Sequence, residues 1–86
     1  MPELSRFYGI IIRMFYGDHA PPHFHAVYLG EEVQISIEPL AVMQGSMSRR
    51  ALALVLEWAA LHRDELWQAW ERASHNQEPS KIQPLE

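Results

Sequence analysis

No cysteine occurs among the 86 residues, so neither a disulfide nor thiolate chemistry is available to this chain. No run of eighteen apolar residues exists, and the opening MPELSRFYG lacks a basic segment followed by an apolar stretch and a cleavage site. These absences predict a cytoplasmic protein with no membrane partner. Basic charge is also scarce: seven basic residues face eleven acidic ones for a net charge of −4, which argues against broad, charge-driven nucleic-acid binding. Glycine is too sparse for a phosphate-cradling loop, and no Gly-x-Ser-x-Gly elbow is present.

What remains is ordinary globular usage, 48% hydrophobic and 21% charged, in a length that suits a single domain over 1–86. A chain this short buries only about 60% of its unfolded surface. A metal or a partner would therefore matter more here than in a larger protein.

The segment FYGIIIRMFY, residues 7–16, is rich in β-branched and aromatic residues and predicts one strand whose row Tyr8, Ile10, Ile12, Met14 and Tyr16 faces the core. Asp18 to Pro22 breaks the ladder as a stiff loop. HFHAVYL (23–29) and EVQISIE (32–38) then flank Gly30-Glu31, a Gly-first pair suited to a type II′ hairpin. Pairing Leu29 with Glu32 sets His25 against Ser36 and His23 against Glu38, with Phe24, Ala26 and Tyr28 on the opposite, apolar face. Pro39 limits the following residues to a turn and at most a short edge strand ending at Gly45.

From Ser48, with Ser46 or Ser48 as N-cap, the spacing becomes helical. The stripe Leu52, Val55, Ala59, His62, Leu66, Ala69 and Ala73, flanked by Trp58, Leu61 and Trp70, should cover the sheet. A straight helix over 48–74 would be roughly 40 Å long, against a domain diameter of roughly 30 Å. Either it bends near His62, or its second half carries Trp67 and Trp70 onto another chain as a homodimer. The polar tail 75–86 could dock through Ile82 and Leu85. The expected architecture is α+β: an antiparallel sheet of three or four strands over about 7–45, covered by one long or kinked C-terminal helix over about 48–74.

Three of the five histidines fall within seven residues, in Asp18-His19-Ala20-Pro21-Pro22-His23-Phe24-His25. His-x-His on a strand points both rings to one face, about 7 Å apart. Imidazole is the commonest metal ligand, so His23 and His25, closed by His19 or Asp18, form a candidate site for a transition metal such as zinc. Magnesium and calcium prefer all-oxygen shells. The same residues also permit metal-free acid–base cleavage of RNA by His23 and His25, with Arg13 on the same face and Glu38 across the hairpin. A third reading leaves the histidines on a solvent face with Glu38 as their cross-strand partner. Arg49 and Arg50 read as a solvated first turn, His62 as a hydrogen-bonded core residue, and the tryptophans as core or interface.

The segments Ser5-Arg6-Phe7-Tyr8-Gly9-Ile10-Ile11-Ile12, Asp18-His19-Ala20-Pro21-Pro22-His23-Phe24-His25-Ala26, and Arg49-Arg50-Ala51-Leu52 with Glu57-Trp58-Ala59 and His62-Arg63-Asp64-Glu65-Leu66 resemble a small bacterial family catalogued as domain of unknown function 4160. The resemblance covers nearly the whole chain, and Asp-His-x-Pro-Pro-His-x-His is its most specific block. Ser48 departs from the proline expected at the helix start. The resemblance implies a component of a toxin–antitoxin-like pair, encoded beside a small cognate protein, and carries no catalytic residues with it. The expectation is a cytoplasmic member of such a pair whose His-rich site acts on RNA with ribonuclease-type chemistry. The alternative is a non-catalytic module that uses the histidines to hold a metal or a partner protein.

Overall fold

Two dipeptides, Tyr8-Gly9 and Leu29-Gly30, set the sheet's connectivity. All four residues have positive φ, between 49° and 81°, and each pair forms a two-residue turn in which both central positions are left-handed. In the computed structural model, which describes residues 2–86, the sheet has five antiparallel strands in sequential order, β1 (Glu3–Phe7), β2 (Ile10–Arg13), β3 (His23–Tyr28), β4 (Glu31–Ser36) and β5 (Ala41–Gly45), and the two turns join β1 to β2 and β3 to β4. The expected single strand over 7–16 is thus corrected to a hairpin, which adds a strand to the three or four anticipated. Tyr8 leaves the core row for an exposed turn, and Tyr16 lies exposed in the loop, while Ile10, Ile12 and Met14 are buried as expected.

The β3–β4 register also differs from expectation. Leu29-Gly30 turns the chain, so Tyr28 pairs with Glu31, His25 with Gln34 and His23 with Ser36. The partner slides by two residues, which preserves the faces because side chains alternate with period two. Phe24 and Ala26 still meet an apolar set, now Ile35 and Val33. Glu38 is lost from the pairing altogether. It sits exposed in the turn between β4 and β5.

Ser48 caps α1 (Arg49–Leu61) by accepting the Ala51 N–H at 3.3 Å. His62 then leaves helical geometry at φ −126° and ψ 32°, and α2 (Arg63–Ser74) starts afresh with Asp64 and Glu65 in its first turn, where acidic groups suit the helix dipole. The longest extent of the molecule is 33 Å, less than the roughly 40 Å that a straight helix over 48–74 would need. Breaking at His62 resolves that mismatch. The second half is held on the core by Leu66, Ala69 and Ala73, which are buried, while Trp70 is half-buried and Trp67 stays 39% exposed.

Ala51, Val55, Trp58 and Ala59 of α1 and Leu66, Ala69 and Ala73 of α2 join the apolar sheet face in one core. Trp58 is its centre, fully buried, 5.5 Å from Phe7 and 6.0 Å from Phe24 by ring centroids. Its indole N–H donates to the Gln83 carbonyl at 2.8 Å, and the Ile82 N–H donates to Leu4 O on β1 at 2.8 Å. The tail is therefore docked, with Ile82 buried. Among the described residues no helix is long and apolar enough to cross a membrane.

Candidate metal centre

His23 and His25 begin β3, and alternation sends both rings to the face opposite Phe24 and Ala26. The link between β2 and β3, residues 14–22, folds back over that face. Its course is pinned where the Gly17 N–H donates to Ala73 O of α2 at 3.1 Å and where the Ile37 N–H donates to Pro22 O at 3.1 Å. Asp18, carried by this link, reaches both imidazoles: its Oδ2 lies 2.9 Å from His23 Nε2 and 3.4 Å from His25 Nε2.

The other nitrogen of each ring is already committed. His23 Nδ1 lies 2.7 Å from the Pro21 carbonyl, and His25 Nδ1 lies 2.8 Å from Glu32 Oε2. A carbonyl and a carboxylate only accept, which assigns the proton of each neutral ring to Nδ1. Both Nε2 lone pairs then face a carboxylate oxygen, so three acceptors converge on one point. Such a convergence is unfavourable unless a ring takes up a proton or a metal cation sits within it.

The spacing fits a metal. With metal–ligand bonds of about 2.0–2.2 Å, adjacent ligands lie about 3.0 Å apart at 90° and about 3.4 Å apart in a tetrahedron. Two of the three edges, 2.9 and 3.4 Å, match those values, and Asp18, His23 and His25 form one cluster of ligand atoms. The Nδ1 hydrogen bonds supply the outer contacts that normally orient metal-bound histidines.

The surroundings keep the rings in place and largely dry. Phe15 meets the His25 ring edge-on at 4.2 Å, and Trp70 of α2 lies 5.4 Å from the His23 ring. Both histidines are buried, while the Asp18 side chain keeps 17% exposure as the site's opening. Burial pushes the Asp18 pKa up, yet the net shift is downward, because the His19 backbone N–H and, with the rings protonated and metal absent, the His25 hydrogen bond and the charges of His23 and His25 together outweigh it. The carboxylate is therefore ionised at neutral pH.

Of the residues expected at this site, Asp18, His23 and His25 come together. His19 does not join them: its side chain is 97% exposed with Nδ1 3.6 Å from Asp18 Oδ1, on the far side of the carboxylate from His23 and His25, and its backbone N–H donates to that same Oδ1 at 2.9 Å. Glu38 is excluded by the register. Arg13 sits directly opposite His25 in the β2–β3 pairing, on the expected face. Arg50 lines a separate groove of about 500 Å³ with Tyr8, Tyr28 and Leu54. His62 binds Glu65 at 2.5 Å beside Trp58, consistent with the structural role expected of it.

Glu32, Phe15 and Trp70 belong to the site and were not among the expected residues. Reading Leu29-Gly30 as an X-Gly turn would have placed Glu32 two residues nearer the hairpin end than Gln34, diagonal to His25. The approach of Trp70 depends on the helix break, for which the sequence carries no glycine or proline signal.

A family model described as domain of unknown function (DUF4160) matches residues 9–71. No curated protein and no solved structure matches the chain.

Proposed function

The chain belongs to the DUF4160 family, and we propose that it binds one divalent transition metal through His23 Nε2, His25 Nε2 and the Asp18 carboxylate. Zinc and iron(II) suit two imidazoles with one carboxylate. The observation that carries this reading is the convergence of Asp18 Oδ2 with both Nε2 atoms while Pro21 O and Glu32 face both Nδ1 atoms, so that neutral rings present three acceptors to one position. Phe15 and Trp70 limit ring rotation, so the ligand geometry is set before the metal arrives.

This takes up the metal-binding role in preference to metal-free acid–base cleavage of RNA. A histidine acting directly on a 2′-hydroxyl needs a free ring nitrogen within hydrogen-bond reach of substrate. Here Asp18 stands against both Nε2 atoms, and both Nδ1 atoms are occupied. An RNA-directed role in a toxin–antitoxin-like pair would therefore run through the metal.

The test is metal content and affinity of protein purified without a histidine tag. The expected result is close to one zinc or iron per chain, lost in a His23→Ala/His25→Ala variant whose circular dichroism stays native. A preparation without bound metal and without affinity for either ion on titration would overturn the reading.

A further inference from the structure

Three protein ligands leave a four- to six-coordinate metal with at least one open position, the arrangement of metal sites that take up substrate. What enters that position is decided by the groups beside it. Arg13 and His25 are Cα partners across β2 and β3, hence about 5 Å apart with side chains on the same face. Among the described residues, Arg13 makes no side-chain hydrogen bond and no ion pair. The carboxylate beside it across the β1–β2 pairing, Glu3, is held by Arg6 at 2.8 and 3.2 Å. The half-buried Arg13 thus stands on the histidine face with no hydrogen-bonded anion, its charge felt by Glu3 but its guanidinium donors uncommitted.

The charges favour an anion. A divalent ion with Asp18, two neutral imidazoles and the Glu32 carboxylate behind His25 sums to zero, and Arg13 on the same face brings the set to +1. The number of oxygens favours phosphate over carboxylate. Two carboxylate oxygens are used up by either a metal or a guanidinium fork, whereas a phosphate group can place one oxygen on the metal and two on Arg13.

We propose that Arg13 and the open coordination position of the Asp18–His23–His25 metal form a binding site for a phosphate group, free or as a phosphodiester. The proposal rests on the metal reading above. Arg13 binds the anion and holds it on the metal; it is not itself a ligand of the ion.

Cobalt(II)-loaded protein tests this, because the visible bands of cobalt report directly on its coordination shell. Cobalt(II) is first titrated into wild type, Arg13→Gln and Arg13→Lys, and then inorganic phosphate or a dinucleoside monophosphate is added to each loaded protein. All three should bind cobalt equally. Phosphate or the diester should shift the wild-type bands to saturation, Arg13→Gln should need roughly tenfold more, and Arg13→Lys should fall between, keeping the charge without the fork. Saturation by the diester identifies an ester ligand, and saturation by phosphate alone identifies the free anion. Bands that neither anion moves, or an Arg13→Gln titration identical to wild type, would overturn the proposal. Failure of wild type to take up cobalt would instead show in the first titration and remove the metal reading with it.

Discussion

Glu32 on β4 holds Nδ1 of His25 on β3 at 2.8 Å, and that hydrogen bond turns the opposite nitrogen of the ring toward Asp18. The two residues are diagonal neighbours, since His25 pairs with Gln34 and Glu32 with Val27. A carboxylate behind a histidine raises its basicity as a ligand and fixes its orientation. Glu32 thus contributes to the site without touching the metal position.

Glu32→Gln should therefore weaken metal affinity by about 10–100-fold, the usual effect of removing an outer-shell partner, with little change in fold. Glu38→Gln, at an exposed turn position, should leave it unchanged. Isothermal titration of both variants with zinc makes the comparison, and equal affinities would show that the His25–Glu32 contact orients nothing.

Metal should also stabilise the fold, because the site ties the 14–22 link to β3 and, through Glu32, to β4. Free metal at 100 times Kd adds about 2.7 kcal/mol, which for a domain of this size raises Tm by roughly 10–20 °C. Thermal unfolding with saturating zinc and with excess chelator measures the difference. Coincident transitions would mean that the native state holds no metal more tightly than the unfolded chain.

Gly45 opposes Val33 at the end of β5, at φ +84°, and a Cβ there would collide with the Glu32 backbone carbonyl and lie 3.3 Å from Val33 Cα. Gly45→Ala should cost at least about 1–2 kcal/mol through backbone strain and displacement of β4. It should also weaken metal binding, since the displaced residue is Glu32. Denaturant unfolding read beside zinc titration tests both effects in one variant.

Leu29 occupies the first left-handed position of its turn, at φ 49°, with its side chain 82% exposed. Leu29→Asn should stabilise the protein by about 0.5–1 kcal/mol, because asparagine tolerates this region and Asn-Gly is the favoured pair for such turns. Loss of stability in urea unfolding would mean that Leu29 makes a contact in solution beyond those of the isolated chain.

The sequence alone determined the alternation that separates His23 and His25 from Phe24 and Ala26, the helix start at Ser48, the apolar stripe over Val55, Ala59, Leu66, Ala69 and Ala73, and the family. These follow from local periodicity and capping, which any stretch of chain carries by itself. Tertiary structure decided the rest. Tyr8-Gly9 and Leu29-Gly30 became turns because the strands on either side pair best there, despite tyrosine and leucine being uncommon at positive φ. That choice replaced Glu38 with Glu32 as the acid behind the histidines. The helix broke at His62 because the core it covers is shorter than a straight helix would be, and the break brought Trp70 to His23. Asp18 joined the site while His19 did not because the 14–22 link is held at Gly17 by α2, a constraint that comes from residues more than fifty positions away.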